Sequence, residues 1–304
     1  MPEGVQVHLV DGTYELFRHF FGAPPHTNSA GQEVAAVRGV LSSVLALMEE
    51  GATHVGVATD HVIESFRNDM WPGYKTGAGV DPVLLGQFGP LEDALALMGV
   101  TVWPMVELEA DDALASAARV AASDPAVEQV VICTPDKDLA QCVTGTRVVQ
   151  LDRRKGAVID GAGVEEKFGV APASIPDYLA LVGDSADGFP GLPGWGAKSA
   201  AAVLSCYGHL ESIPDSGADW KVNVRAAGTL AATLAASRDL ALLFRDLATL
   251  RTEPPVMSAA GDLMWSGPLS GFEDFAAGVL DSPALAVRAE KLVASRRKAS
   301  AGGG

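Results

Sequence analysis

Acidic residues recur immediately after short β-branched runs in the first half of the chain. Val5 to Val10 leads into Asp11, and His54 to Thr59 leads into Asp60. Thr101 to Pro104 precedes ELEADD, which carries Glu109, Asp111 and Asp112, and Val130 to Cys133 precedes TPDKD, which carries Asp136 and Asp138. In an open parallel sheet, chemistry gathers beyond the carboxyl ends of the strands, where these side chains would meet. Any one of them could simply cap a helix. Several together repel unless cations neutralise them or their pKa values rise. Carboxylate oxygens without histidine or cysteine suit Mg²⁺ or Mn²⁺ better than Zn²⁺. GDSADG adds Asp184 and Asp187, three residues apart. Paired divalent ions on carboxylates are the usual machinery of phosphodiester hydrolysis.

Two further segments point to an anionic, stacked ligand. GLPGWGAKSA sets Gly191, Gly194 and Gly196 before a helix predicted to open at Ala197, with Lys198 and Ser199 in its first turn. Such a turn can offer backbone N–H groups to phosphate, although its spacing is not that of a Walker A loop. Residues 61–83 form a connection longer than a compact βα unit needs, and it holds Arg67, Trp71, Tyr74 and Lys75. Cations interleaved with aromatics suit single-stranded nucleic acid.

The elements that must position these residues alternate through the first 160 positions. Besides the four runs above, Arg147 to Leu151 reads as a strand, and helical periodicity covers Val34 to Glu50, Leu84 to Met98 and Asp111 to Ala122. This predicts an α/β domain over residues 1–171. From Pro172 the strand signal stops, so residues 172–257 read as a helical domain broken at Pro254 and Pro255. Residues 258–304 are expected to form a C-terminal tail with a disordered glycine end.

Composition narrows the class. The 304 residues are 48% hydrophobic and 20% charged, which excludes wholesale disorder. The opening MPEGVQVHLVDG has no basic leader, and no uncharged apolar run reaches the roughly 18 residues of a membrane span, so a cytoplasmic protein is expected. Cys133, Cys142 and Cys206 show no metal or disulfide spacing. The 38 acids against 22 Lys+Arg give −16, unusual for a nucleic-acid binder unless many acids hold cations.

The ordered set LVDGTYELFR, TNSAG, FRNDMWPGYK, LEADDALA, TPDKDLAQ, LALVGDSADGFPGLPGWGAKSA and DLATLRTE resembles the 5′ nuclease family, the flap endonucleases and the 5′–3′ exonuclease domain of bacterial DNA polymerase I. The likeness runs over about residues 5 to 255 and implies a stand-alone enzyme, since no polymerase region follows. It implies a PIN-like (resolvase-like) domain with a central parallel sheet, an arch segment at about 61–83, and a helix-hairpin-helix (helix-three-turn-helix) domain. It also implies cleavage of DNA bearing a 5′ flap, 5′ end, nick or gap to leave 5′-phosphate, in repair and replication, by a monomer using two ions with room for a third.

By the same resemblance Asp11, Asp60, Glu109 and Asp111 hold the first metal, with Asp112 beside them. Asp136, Asp138, Asp184 and Asp187 serve the second, Arg67 and Lys75 contact the scissile phosphate, and Tyr74 stacks near the 5′ end. Arg18 is a further phosphate contact, and the glycine hairpin, often with K⁺, grips duplex DNA. Two departures stand out. Gly188 follows Asp187 where the family often has asparagine, which predicts looser coordination, and KTGAG lacks an arginine three residues after Lys75. The competing readings are a non-catalytic DNA-junction binder and a small-molecule phosphatase.

Overall fold

The computed structural model describes residues 4–302, with side chains described to residue 299. In chain order the elements run β1 (Val5–Asp11), α1 (Gly12–Gly22), α2 (Ala35–Glu49), β2 (His54–Asp60), α3 (Phe66–Met70), α4 (Pro82–Leu85), α5 (Phe88–Leu97), β3 (Thr101–Met105), α6 (Ala110–Ser123) and β4 (Val127–Cys133). There follow β5 (Val148–Asp152), β6 (Ala157–Ile159), α7 (Gly161–Phe168), α8 (Ile175–Val182), α9 (Ala197–Tyr207), α10 (Ala227–Ala236), α11 (Arg238–Ala248), α12 (Phe272–Gly278) and α13 (Pro283–Gly302). Among the described residues no single helix is long and apolar enough to cross a membrane.

The chain divides into two compact units. Among the described residues the first comprises 4–62, Ala78–Cys133 and 253–302. Its strands lie in the order β3-β2-β1-β4, all parallel. Continuous apolar runs such as VQVHLV fit strands covered on both faces, and Val7, Leu9, Val55, Val57 and Ile132 are buried. Helix α2 presents Val37, Val40, Leu41, Val44 and Leu45 to this core at helical spacing. The register sets Asp11 beside Ala58 and Asp60 beside Met105, so the acids end their strands on one edge.

The expected C-terminal tail is instead part of this unit. Helix α13 packs on α2, where Arg288 donates to both carboxylate oxygens of Glu49 and Arg296 donates to the carbonyls of Met48 and Ala52. The Arg296 guanidinium also lies 4.9 Å from the centre of the Trp265 ring. Cations on the last carbonyls of α2 satisfy groups that the helix cannot. The predicted disorder of the final glycines falls on residues 303–304, outside the described residues.

The second unit comprises Ile63–Gly77 and Thr134–Thr252. It holds the antiparallel pair β5 and β6, helices α7 to α11, and the short α3. Its core gathers Tyr178, Leu181, Phe189, Leu192, Trp195, Leu204 and Phe244. By packing the second unit already begins at Thr134, and the segment expected as an arch contributes its first half here, because Tyr74 and Arg67 are buried in this unit. The three residues of β6, half exposed, carry too little pattern to be read from sequence.

Candidate nuclease site

In the first unit each acid is set by the local backbone it serves. Asp11 ends β1 and its Oδ1 accepts from the Tyr14 N–H at 2.8 Å, opening α1. Asp60 ends β2; its Oδ1 accepts from the Ala110 N–H at 2.8 Å, and its own N–H donates to Thr13 Oγ1. The bond from Ala110 ties the end of β2 to the start of α6, and the bond to Thr13 ties it to α1. Asp112 is fully buried and accepts from the Glu109 N–H at 2.9 Å, so it supports the turn that carries Glu109 and the half-exposed Asp111. A carboxylate offers about four acceptor sites, so a capping bond does not by itself preclude a cation. Arg18, partly exposed, is held by the buried Glu15 at 2.5 Å, with Ser43 also donating to Glu15.

The acids of the second unit are more crowded. Asp138, Asp184 and Asp187 are all buried, and one oxygen from each lies within 4.8 Å of the others. Asp138 Oδ1 is buried without a hydrogen-bond partner among the described residues. Burial, then the charges of Asp136, Asp187 and Asp184, push the Asp138 carboxyl well above the usual carboxylate range. Asp136 keeps a solvent-exposed face, yet crowding by protein, opposed by the Asp138 N–H and reinforced by Asp187, raises it too. An all-oxygen donor set with an orphaned buried oxygen fits a hard divalent ion.

Lysines stand against this charge. Lys75 Nζ lies 3.0 Å from Asp187 Oδ1, and Lys137 Nζ lies 2.5 Å from Asp184 Oδ2. Sequence reasoning passed over Lys137; its only signal was a cation between two aspartates in TPDKD. The Lys137 ammonium is raised by its bond to Asp184 and by Asp138, Asp184 and Asp136, which together outweigh its burial.

Two expected nucleic-acid contacts are placed otherwise. Arg67 is 1% exposed, and its guanidinium donates from Nε to Leu247 O at 2.8 Å and from Nη2 to Thr249 O at 3.2 Å. Those bonds close the carbonyl end of α11. Tyr74 is buried, and its hydroxyl donates to Asp187 Oδ2 at 3.3 Å, so it orients an acid. With Lys75 on the other oxygen, Asp187 is held without help from a side chain at Gly188.

The glycine turn divides by role. Gly191 is buried at φ +69°, and any Cβ would strike the backbone of Val182 and Gly183, so it makes a close chain crossing and offers nothing to a ligand. Ser199 Oγ accepts from the Gly196 N–H at 3.0 Å, capping α9. Gly194, Gly196, Lys198, Asn223 and Arg225 line an open cavity of about 620 Å³ at that helix start.

Comparison with known proteins matches both halves of the chain. Residues 6–169 match the family described as 5′–3′ exonuclease, N-terminal resolvase-like domain, and residues 170–270 match 5′–3′ exonuclease, C-terminal SAM fold. DNA polymerase I of Pseudomonas aeruginosa is 36% identical over 255 residues, 81% of this chain and 27% of that protein. The thermostable DNA polymerase I of Thermus aquaticus is 34% identical over 256 residues, covering 84% and 29% respectively. The chain thus spans under a third of the length of these relatives.

Among solved structures, bacteriophage T5 5′-exonuclease with zinc shares the fold at a TM-score of 0.64 and 17% identity, covering 95% of this chain and 98% of that one. The catalytic core of Rad2 in complex with DNA substrate gives 0.62 at 15% identity, covering 96% and 92%. Flap endonuclease-1 from Methanococcus jannaschii gives 0.60 at 14%, covering 97% and 94%. With both of its family regions present in order, the chain belongs to the 5′–3′ exonuclease family.

Proposed function

We propose that this protein is a divalent-metal-dependent 5′ nuclease, acting as exonuclease and flap endonuclease on DNA with a 5′ end, flap, nick or gap and leaving 5′-phosphate. The observation that carries the reading is the buried trio Asp138, Asp184 and Asp187 with its unpartnered oxygen, in a chain of this family. Asp136, Asp138, Asp184 and Asp187 would hold one Mg²⁺ or Mn²⁺. Asp11, Asp60, Glu109 and Asp111 would hold another, with Asp112 fixing the Glu109 turn. When bound, such ions neutralise phosphate charge and activate water. Lys75 adds a cation that stays partly exposed beside Asp187 and can meet the scissile phosphate. Lys198, Arg225 and the free amides at the start of α9 would receive the duplex backbone. Related solved structures, with zinc in one and with DNA in another, support the cation and the polymer.

The test is a 5′-flap duplex labelled at the 3′ end of the flap strand, incubated with Mg²⁺, Mn²⁺ or EDTA, with Asp184→Asn as control. Cleavage at the junction that needs both metal and Asp184 is expected. Binding without cleavage would favour a junction-binding protein, and release of phosphate from small esters alone would favour a phosphatase.

A further inference from the structure

The acid trio of the second unit carries its own counter-ions, Lys75 on Asp187 and Lys137 on Asp184. Lys75 is fixed at its backbone, where its N–H donates to Asp187 O at 3.0 Å and its carbonyl accepts from Asn68 Nδ2 at 2.9 Å. Lys137 lies in the loop between β4 and the turn Asp138–Cys142, and its side chain is 35% exposed on a flexible four-carbon stem. Its ammonium occupies Asp184 Oδ2, while Asp184 Oδ1 already accepts from the Ala186 N–H at 2.9 Å. A divalent ion that uses Asp184 Oδ2 therefore competes with Lys137 for that oxygen. Four aspartates, Asp136, Asp138, Asp184 and Asp187, against two lysines leave a formal −2. Without Lys137 the cluster would stand at −3, and nothing would compete for Oδ2.

We propose that Lys137 is a built-in, displaceable counter-ion of this site. It holds the carboxylates together before metal arrives, sets a modest metal affinity by competing for Asp184, and swings towards solvent when a divalent ion enters. The proposal rests on the metal-dependent reading above. It makes Lys137 a positioning residue that acts through Asp184, distinct from Lys75, which pairs with Asp187.

The experiment titrates Mn²⁺ into wild type, Lys137→Met and Lys137→Arg without DNA, following free Mn²⁺ by electron paramagnetic resonance, and records melting in EDTA. Lys137→Met is expected to bind Mn²⁺ about 10-fold more tightly, to melt lower in EDTA and to recover at saturating Mn²⁺, while Lys137→Arg stays near wild type. Equal or weaker binding by a folded Lys137→Met would overturn the proposal and leave the metal reading intact. No Mn²⁺ binding by any of the three proteins would remove both. Should Lys137→Met fail to fold, the ammonium resonance of Lys137 in wild type, observed by ¹H–¹⁵N NMR, should lose its ion-pair signature on adding Mg²⁺. A resonance that does not move while Mg²⁺ binds would overturn the proposal.

Discussion

Gly188 and Gly73 meet so closely that a Cβ built on Gly188 would collide with the Gly73 carbonyl oxygen. Trp71 closes the same junction, its Nε1 donating to Gly188 O at 3.0 Å and its ring meeting Phe244 edge-on at 5.1 Å. The segment 71–75 therefore clasps the loop that carries Asp187, and this clasp delivers Lys75 and Tyr74 to the two oxygens of that acid.

Restoring the family's asparagine at Gly188 should be harmful. Asparagine tolerates the φ of +84° better than most residues, but its Cβ has no room against Gly73. Gly188→Asn is expected to cost about 1–3 kcal/mol, seen as a lower melting temperature. A variant as stable as wild type would mean that the clasp yields freely.

Arg67 should behave as a structural anchor. Its removal strands the Leu247 carbonyl, worth roughly 1–3 kcal/mol when left unsatisfied and buried, and leaves the Thr249 carbonyl to Arg251 alone. Arg67→Ala is expected to lose stability in urea denaturation, whereas the salt slope of DNA binding by the folded protein should not change. A slope reduced by one phosphate contact would return Arg67 to the DNA.

The acid cluster makes the metal-free protein respond to pH in an unusual sense. Because Asp138 and Asp136 are raised in the native state, the unfolded chain ionises first, near the ordinary aspartate value. In the window between that value and the raised native one, the folded protein holds more protons, so stability falls as pH rises through it. In EDTA, Asp138→Asn should melt several degrees higher than wild type at neutral pH and lose most of this slope. Melting curves across pH 4 to 8 would show it, and an unchanged slope would place the repulsion elsewhere.

Lys198 and Arg225 line the cavity at the start of α9, and both are exposed. Replacing either with alanine in the Asp184→Asn background should weaken binding to a nicked duplex and lower the salt slope by about 1. Fluorescence anisotropy at several salt concentrations measures this. Unaltered slopes would put the duplex on another surface.

The parallel strands and their terminal acids were legible from the chain itself, because both signals are local. A β-branched run followed by aspartate specifies a strand and its exit within a few residues, and β1 and β2 end at Asp11 and Asp60. Asp184 and Asp187 were equally plain, since they share one short loop. The fates of Arg67 and Tyr74 were not, because a cation near aromatics reads alike whether it faces solvent or a carbonyl 180 residues away. The same holds for residues 258–302, where Leu285, Ala289 and Leu292 are buried at helical spacing, but the docking on α2 through Arg288 and Arg296 joins positions far apart in the chain. Lys137 became significant only when folding set its ammonium on Asp184. Sequence by itself determined which chemical groups this protein could bring to a phosphodiester. Tertiary structure decided which charges are spent on holding the fold and which remain for a ligand, since burial and pairing are properties of neighbours distant along the chain.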